Sequence, residues 1–530
     1  MTFIFRQMLA AICAVAGFLT FSNLLPAQDS DTNAAPEIRT PPAPHTPRIN
    51  GPDVFGVRPG NPFMYQIPAT GDRPMTFSAD KLPKRLKLDA DSGLITGRLD
   101  KGLLGGSKYA VTLRAKNALG EDKKKFTIVV GETIALTPPM GWNSWNAYHD
   151  TVTGENVIHA ARAMASSGMI NYGWTYINID DTWQGQRGGK FDGIEPNDKF
   201  PNMLRMCDEI HWLGLKVGIY STPWETSYAG HVGGSSDDPH GGWTNKPEHI
   251  GKYPYADNDA KQWATWGIDY LKYDWLPSET QPTAETSAQF LNDSTTMHKA
   301  LRKSGRDILF SYSNSMPFHD IKDQSEIYNC WRTTGDISDD WDSMAERAFY
   351  FPSGLKGEPS DKWAPYARPG HWNDPDMMVL GVVNFGGQQH PTHLTPDEQY
   401  LHMTAWCMAS APLLLGCDLD KLDAFTLNLV ENSEVLAIDQ DSLGKQATIA
   451  SNEGNVLLVY SRDLEDGSKA VAFYNLANRP SKIMTTWQDL GLTGTHKVRD
   501  LWREKDLGKF DQELTMSVAS HGAELVKISP

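Results

Sequence analysis

The sequence predicts a multidomain chain: a (β/α)8 TIM barrel, with a β-sandwich before it and an antiparallel β domain after it. Three observations predict this. Between residues 134 and 438, eight short apolar runs alternate with amphipathic helical stripes. On either side the helical period stops, and short strands punctuated by Gly and Asp-Gly take over. In the middle part, polar and aromatic residues gather just past the end of each apolar run, where such a barrel carries its chemistry.

Composition narrows the field first. The chain has 530 residues, 40% hydrophobic and 22% charged, which excludes a disordered protein. Lys and Arg number 49 against 65 Asp and Glu, a net charge of −16 that argues against nucleic acid or an anionic membrane surface as the partner. Seventeen Trp and eighteen Tyr suit sugar faces but equally fill cores, so composition alone decides neither.

Residues 1–27 read as a signal peptide. Arg6 precedes an apolar run from Met8 to Phe21, and Leu24-Leu25-Pro26-Ala27-Gln28 supplies a small residue before a polar one. The expectation is an exported protein, periplasmic or extracellular, with no membrane contact after cleavage. The run falls short of the ~18 residues at which a spanning helix becomes a candidate. Cys13 would leave with the signal. Cys207, Cys330, Cys407 and Cys417 remain, too few for a disulfide scaffold and without metal-like spacing. Cys207 shares a helical face with Met203, Leu204 and Ile210, which predicts a core thiol.

Residues 28–45 are rich in Pro, Asp, Asn and Thr and read as a linker. Residues 46–133 carry the strand-like runs Phe63–Ile67, Leu86–Leu88, Leu94–Gly97, Tyr109–Ala115 and Phe126–Val130, a small sandwich. It is similar to the immunoglobulin-like modules of bacterial exported enzymes. Such a module is a spacer or a glycan binder; nothing in it marks a sugar site, which favours the spacer.

In the barrel region, 134–438, helical stripes such as Val157, Ile158, Ala161, Met164 and Ala165 separate the strands. Met140–Trp142 runs into Asn143-Ser-Trp145, Tyr176–Ile179 into Asp180-Asp181, and Lys216–Ile219 into Tyr220. Tyr270–Tyr273 runs into Asp274, Ile308–Phe310 into Ser311 to Asn314, and Tyr328–Trp331 into Arg332 and Asp336. His371-Trp372 leads to Asp376, and Ala411–Leu415 to Asp418. From 439 to 530, Val456–Tyr460 and Ala470–Tyr474 flank an Asp466-Gly467 hairpin signal and open the antiparallel β domain.

The acids at the barrel mouth could hold Ca²⁺ or Mg²⁺, but Lys272 and Arg332 stand beside them and oppose a cation. His is not paired at metal-like spacing, and there is neither a phosphate loop nor a Gly-x-Ser-x-Gly elbow. Carboxylates, aromatic rings and a few cations are the outfit of a glycoside hydrolase, in which two acids flank one bond. Asp274 lies two residues beyond Lys272 on one strand, so both side chains share a face and the ammonium favours an ionised carboxylate, suited to a nucleophile. Asp336 lies on a loop, where desolvation would raise its pKa and suit a general acid.

The strings Thr137-Pro-Pro-Met-Gly-Trp-Asn-Ser-Trp145, Tyr176-Ile-Asn-Ile-Asp-Asp-Thr-Trp183, Tyr270-Leu-Lys-Tyr-Asp-Trp275, Trp331-Arg-Thr-Thr-Gly-Asp336 and Trp372-Asn-Asp-Pro-Asp-Met-Met378 occur in this order. With Ala437-Ile-Asp-Gln-Asp-Ser-Leu-Gly-Lys445 they resemble glycoside hydrolase family 27, the α-galactosidases and α-N-acetylgalactosaminidases, over residues 134–530. The resemblance implies a retaining exo-glycosidase without a cofactor or metal, acting on terminal α-D-galactosyl residues. It implies Asp274 as nucleophile and Asp336 as acid/base. It also implies that Asp180, Asp181 and Lys272 grip sugar hydroxyls, that Trp145 and Tyr220 wall the pocket, that Arg332 holds the 2-position, and that Asp376 with Met377 lines the mouth.

The pattern departs from that of animal α-galactosidases in two places. The Cys pair beside the nucleophile is missing: the loop after Tyr220 has no Cys, and Asp274 is followed by Trp275. Where the family reads the 2-position with Glu and Leu, or with Ser and Ala, this chain has Ser315 and Phe318. Specificity for β-L-arabinopyranosides, α-N-acetylgalactosaminides or isomaltosyl units therefore stays open beside α-galactosides, as does a carbohydrate-binding protein without catalysis. The oligomeric state is not legible.

Overall fold

The computed structural model describes residues 36–100, 106–277, 283–349 and 360–530. The signal-peptide segment and the first part of the linker lie outside these residues.

Eight parallel strands form the barrel: β1 (Met140–Asn143), β2 (Tyr176–Asn178), β3 (Lys216–Ser221), β4 (Tyr270–Asp274), β5 (Leu309–Ser313), β6 (Cys330–Arg332), β7 (Trp372–Asp374) and β8 (Leu413–Leu415). From β1 to β7 each strand pairs with the next in sequence, and β8 pairs with β1. A parallel bridge between Met378, just past β7, and Leu415 closes the ring. Closure leaves no unpaired edge. All eight predicted strand runs coincide with these strands.

The principal helices on the outside are α1 (Gly154–Ser167), α2 (Met203–Trp212), α3 (Ala256–Trp266), α4 (Ala284–Lys303), α5 (Trp341–Phe349) and α6 (Pro396–Ala409). Their ends follow from local chemistry. Thr153 caps α1 by accepting the Asn156 N–H, and Gly168 ends it at φ 103°, a backbone conformation open to glycine without strain. In α2 the buried stripe is Met203, Met206, Cys207 and Ile210, the i, i+3, i+4, i+7 set. Leu204, predicted to share it, is 45% exposed. It sits one position to the solvent side, and Met206 takes its place in the core.

Two strand glycines let neighbouring strands carry large residues. A Cβ on Gly141 of β1 would lie 2.3 Å from the Tyr176 carbonyl, and one on Gly218 of β3 would lie 2.1 Å from Asn178 Oδ1. Ten of the seventeen tryptophans, among them Trp142, Trp331, Trp372 and Trp406, are fully buried, so most of the aromatic surplus fills the core. Trp142 donates its indole N–H to the Cys417 carbonyl at 2.7 Å, which makes it packing, as its position suggests. All four described cysteines are buried and unbonded to one another.

The N-terminal module is a sandwich of a four-stranded and a three-stranded sheet around Val57, Phe63, Phe77, Ile95, Leu113 and Ile128. It docks on the barrel through Asp307, which accepts the Arg58 N–H (3.0 Å) and the Asn61 amide (2.7 Å). Beside this contact a cavity of about 1110 Å³, open mouth included, is lined by Phe55 and Tyr65 and by the first residues of β1, β2, β3 and β5. The module therefore covers the N-terminal end of the barrel, opposite the chemistry. The C-terminal domain is a six-stranded antiparallel sheet with a two-stranded ribbon, packed around Val459, Phe473, Trp487 and Val526.

The predicted linker is not free where it is described. Arg39 donates its backbone N–H to Tyr400 Oη (3.0 Å) and pairs with Asp397 of α6 at 2.6 Å. Its guanidinium also bonds the Ala523 carbonyl of the last strand at 3.3 Å. Thr40 is held by Asn428 and Asn432. Polar composition signals a linker, but here each polar group finds a fixed partner, so the segment is a strap.

Candidate active site

The C-terminal ends of the strands bring the predicted residues together. Asp274 ends β4. Its Oδ2 accepts the Tyr220 hydroxyl from β3 at 3.0 Å. Its Oδ1 accepts the Asn314 side-chain amide, which follows β5 and also donates to Tyr228 Oη at 3.1 Å. Asn314 has φ 73°, a left-handed conformation that Asn tolerates better than most residues and that turns the chain beyond β5. Asn314 carried one signal in the sequence, its position just past β5; Tyr228, seven residues beyond β3, carried none.

Lys272 points to the same side of β4 but bonds Asp180 at 2.8 Å rather than Asp274. The Asp180 side chain is 3% exposed, so this is a buried pair that fixes both groups. Lys272 still draws the Asp274 pKa down, but burial outweighs it and pushes the Asp274 carboxyl up to about 6. The Lys272 ammonium thus favours the ionised Asp274, as expected, but burial opposes it more strongly, so the carboxyl ionises only as the pH rises through about 6.

Asp336 also departs from expectation. Its side chain is 87% exposed, and the Arg332 guanidinium at 3.2 Å holds its pKa below the ordinary carboxylate value. A loop does not by itself desolvate a side chain, and this one faces open solvent. Its backbone is fixed by Arg347, which donates to the Asp336 carbonyl at 2.7 Å. The Asp336 charge in turn raises Asp274, so the two carboxylates sense each other.

Other predicted residues sit close by with altered roles. Asp181 is 2% exposed and spends its oxygens on the Thr182 N–H (2.7 Å), the Gln184 amide (2.9 Å) and the Ala229 N–H (3.1 Å). It braces the loop after β3 instead of offering a free acceptor. Asp376 is equally buried, with φ 101°. It pairs with Arg332 at 2.9 Å and accepts the Ile337 and Met377 N–H groups. It acts on the pocket through Arg332 and the Asp336 loop. Arg332, 4% exposed, also donates to the Thr334 carbonyl at 3.1 Å. Trp145 is half-buried, edge-on to His149 at 5.2 Å between ring centroids. Ser315 is half-buried one residue past Asn314, and Phe318 packs edge-on against Trp363 at 4.9 Å.

The arrangement is therefore two carboxylates of unlike environment, one dry and one wet, backed by two buried ion pairs. No described helix is long and apolar enough to cross a membrane.

Comparison with known proteins agrees in order and extent. A family model described as α-galactosidase A matches residues 137–441. A second, the α-galactosidase C-terminal β-sandwich domain, matches 455–528, and a candidate Ig domain matches 46–131. Alpha-galactosidase 2 of Arabidopsis thaliana is 35% identical over 76% of this chain and 92% of its own length. A solved structure of a candidate α-galactosidase from Bacteroides fragilis aligns over 94% of this chain and 100% of its own, at 32% identity and TM-score 0.78. A β-L-arabinopyranosidase from Geobacillus stearothermophilus aligns over 75% of this chain and 97% of its own, at 28% identity and TM-score 0.62.

Proposed function

We propose that this chain, which belongs to the α-galactosidase family of glycoside hydrolases, releases terminal α-D-galactosyl residues from oligo- or polysaccharides by a retaining double displacement. Asp274 attacks the anomeric carbon while Asp336 protonates the leaving oxygen. Asp336 then takes a proton from the water that cleaves the glycosyl-enzyme. The observation that carries this reading is Asp274 at the end of β4, half-buried, with its two oxygens aimed by Tyr220 and Asn314.

The order of proton affinities in the free site runs opposite to what the first step needs. Asp274 binds a proton more tightly than Asp336. A sugar that covers Asp336 strips it of water and raises its affinity for the proton. The same substrate in contact with Asp274 favours the ionised form through its polarised anomeric carbon. Substrate binding thus moves one shared proton from the dry carboxylate to the wet one.

Specificity rests on the region of Ser315 and Phe318, and the arabinopyranosidase relative keeps that activity as the second reading. We also propose export, supported by the apolar run from Met8 to Phe21.

The test uses p-nitrophenyl α-D-galactopyranoside and β-L-arabinopyranoside with wild type, Asp274→Ala and Asp336→Ala. With p-nitrophenolate as a good leaving group, Asp274→Ala loses at least about 10³-fold in kcat/KM with folding kept, and Asp336→Ala loses chiefly kcat, because its glycosyl-enzyme is hydrolysed slowly. Azide then restores turnover to both, giving a glycosyl azide of inverted anomer from Asp274→Ala and of retained anomer from Asp336→Ala. Swapped anomers would exchange the two roles, and full activity in both variants would end the assignment. A higher kcat/KM on the arabinoside would move the substrate without touching the mechanism.

A further inference from the structure

A second group of metal-ligating side chains stands apart from the two carboxylates. Asp339 lies three residues beyond Asp336, on the loop that follows β6. His390 and His393 lie beyond β7, at the ribbon that pairs Val382–Val383 with His390–Pro391. In sequence the two groups are some fifty residues apart, and the fold brings one ligand atom of each residue within 4.8 Å of the others. Asp339 Oδ2 is 3.1 Å from His393 Nδ1 and 3.7 Å from His390 Nδ1. The imidazoles stack with centroids 4.5 Å apart.

These distances are informative. A tetrahedral ion with bonds of about 2.0–2.1 Å keeps its ligand atoms about 3.3–3.4 Å apart, and the two measured separations bracket that figure. The Asp339 side chain is 5% exposed, so it is a fixed anchor. The His393 side chain is 68% exposed, which leaves the ion a way in. The His393 backbone N–H donates to the same carboxylate oxygen at 3.0 Å, the kind of outer hydrogen bond that orients a ligating carboxylate. His390 Nδ1 lies 2.9 Å from the Pro391 carbonyl, a contact that coordination would replace.

A comparable cluster serves as contrast. Glu225, Asp237 and His249 also converge, but the Lys246 ammonium sits among them, 2.8 Å from Asp237 and 3.5 Å from Glu225. That cluster already holds its cation. At Asp339 no Lys or Arg partner is found among the described residues.

We propose that Asp339, His390 and His393 bind one divalent transition-metal ion, of the zinc class by its two nitrogens and one oxygen, with water in the fourth position. The ion clamps the loop that carries Asp336 to the ribbon beyond β7. It takes no part in bond cleavage.

Titration calorimetry of the metal-stripped full chain with Zn²⁺ tests this, on wild type, His393→Ala, His393→Gln and His249→Ala. Wild type and His249→Ala are expected to bind one ion per chain, and both His393 variants to bind at least about tenfold more weakly. Zinc should raise the Tm of wild type and leave that of the His393 variants unmoved. Because His393 is exposed, its variants should keep the metal-free Tm of wild type, which separates lost ligation from lost folding. Absence of zinc binding in wild type, unchanged binding in both His393 variants, or loss in His249→Ala would overturn the proposal.

Discussion

Asp274 is pulled two ways, and the balance has a measurable signature. The proposed double displacement needs one proton on the Asp274–Asp336 pair, placed on Asp336. Below the lower apparent pKa both carboxyls are protonated and the nucleophile is lost; above about 6 the pair gives up its last proton and the acid is lost. The profile of kcat/KM against pH should therefore be a bell with its alkaline limb near 6, since this parameter reports the free enzyme. In Asp336→Ala with an activated aryl glycoside no acid is required. The alkaline limb should vanish, and activity should rise with pH to a plateau as Asp274 ionises. A wild-type profile flat from pH 5 to 9 would refute the raised Asp274. At this scale the sequence was legible for identity and not for environment. Asp274, Asp336, Lys272 and Arg332 stood in recognisable strings, but water access and pairing did not. Nothing in the order of residues says that Asp336 faces solvent or that Lys272 spends its charge on Asp180. Asn314 and Tyr228 carry no motif, so the Asn314 bond to Asp274, with Tyr228 behind it, emerges only when β3, β4 and β5 lie side by side.

At the scale of elements, the barrel depends on where it lacks side chains. Gly218 of β3 faces Asn178 of β2 and the Tyr270 side chain of β4, whose Cβ would be 2.8 Å from an added methyl. Strand positions are fixed by hydrogen bonds on both sides, so the methyl cannot be absorbed by a slide of one residue; that would turn every side chain to the wrong face. Gly218→Ala is expected to cost about 1–3 kcal/mol from overpacking, read as a lower Tm, and to reduce activity because Tyr220 follows on the same strand. An unchanged Tm and kcat would show that the neighbouring strands yield. Element positions were readable because apolar runs bounded by polar ends recur eight times. Phase was less so: Leu204 and Met206 are both apolar, and only the packing partner selects which one turns inward.

The whole molecule is tied together by a segment that its composition marks as dispensable. Arg39 touches α6 of the barrel and the last strand of the C-terminal domain, and the Asn432 amide bonds Thr40 Oγ1 together with the Leu501 and Trp502 carbonyls. Arg39→Ala should therefore loosen the two domains together. About 2 kcal/mol is expected, because Glu524, 3.7 Å from the Arg39 guanidinium, keeps Arg503 as a partner at 2.8 Å. Scanning calorimetry should register it as a lower or split transition, while kcat, set at the far strand ends, stays near wild type. A single unshifted transition would make the strap ornamental. The four described thiols all lie in the barrel and are shut away, and burial pushes Cys417 up to about 12, which leaves almost no thiolate to react. Among the described residues, reductants have no bridge to cut and alkylating reagents no open thiol to reach. Cysteine labelling consequently becomes a clock for this protein: each modified thiol records a moment at which the region around it came apart.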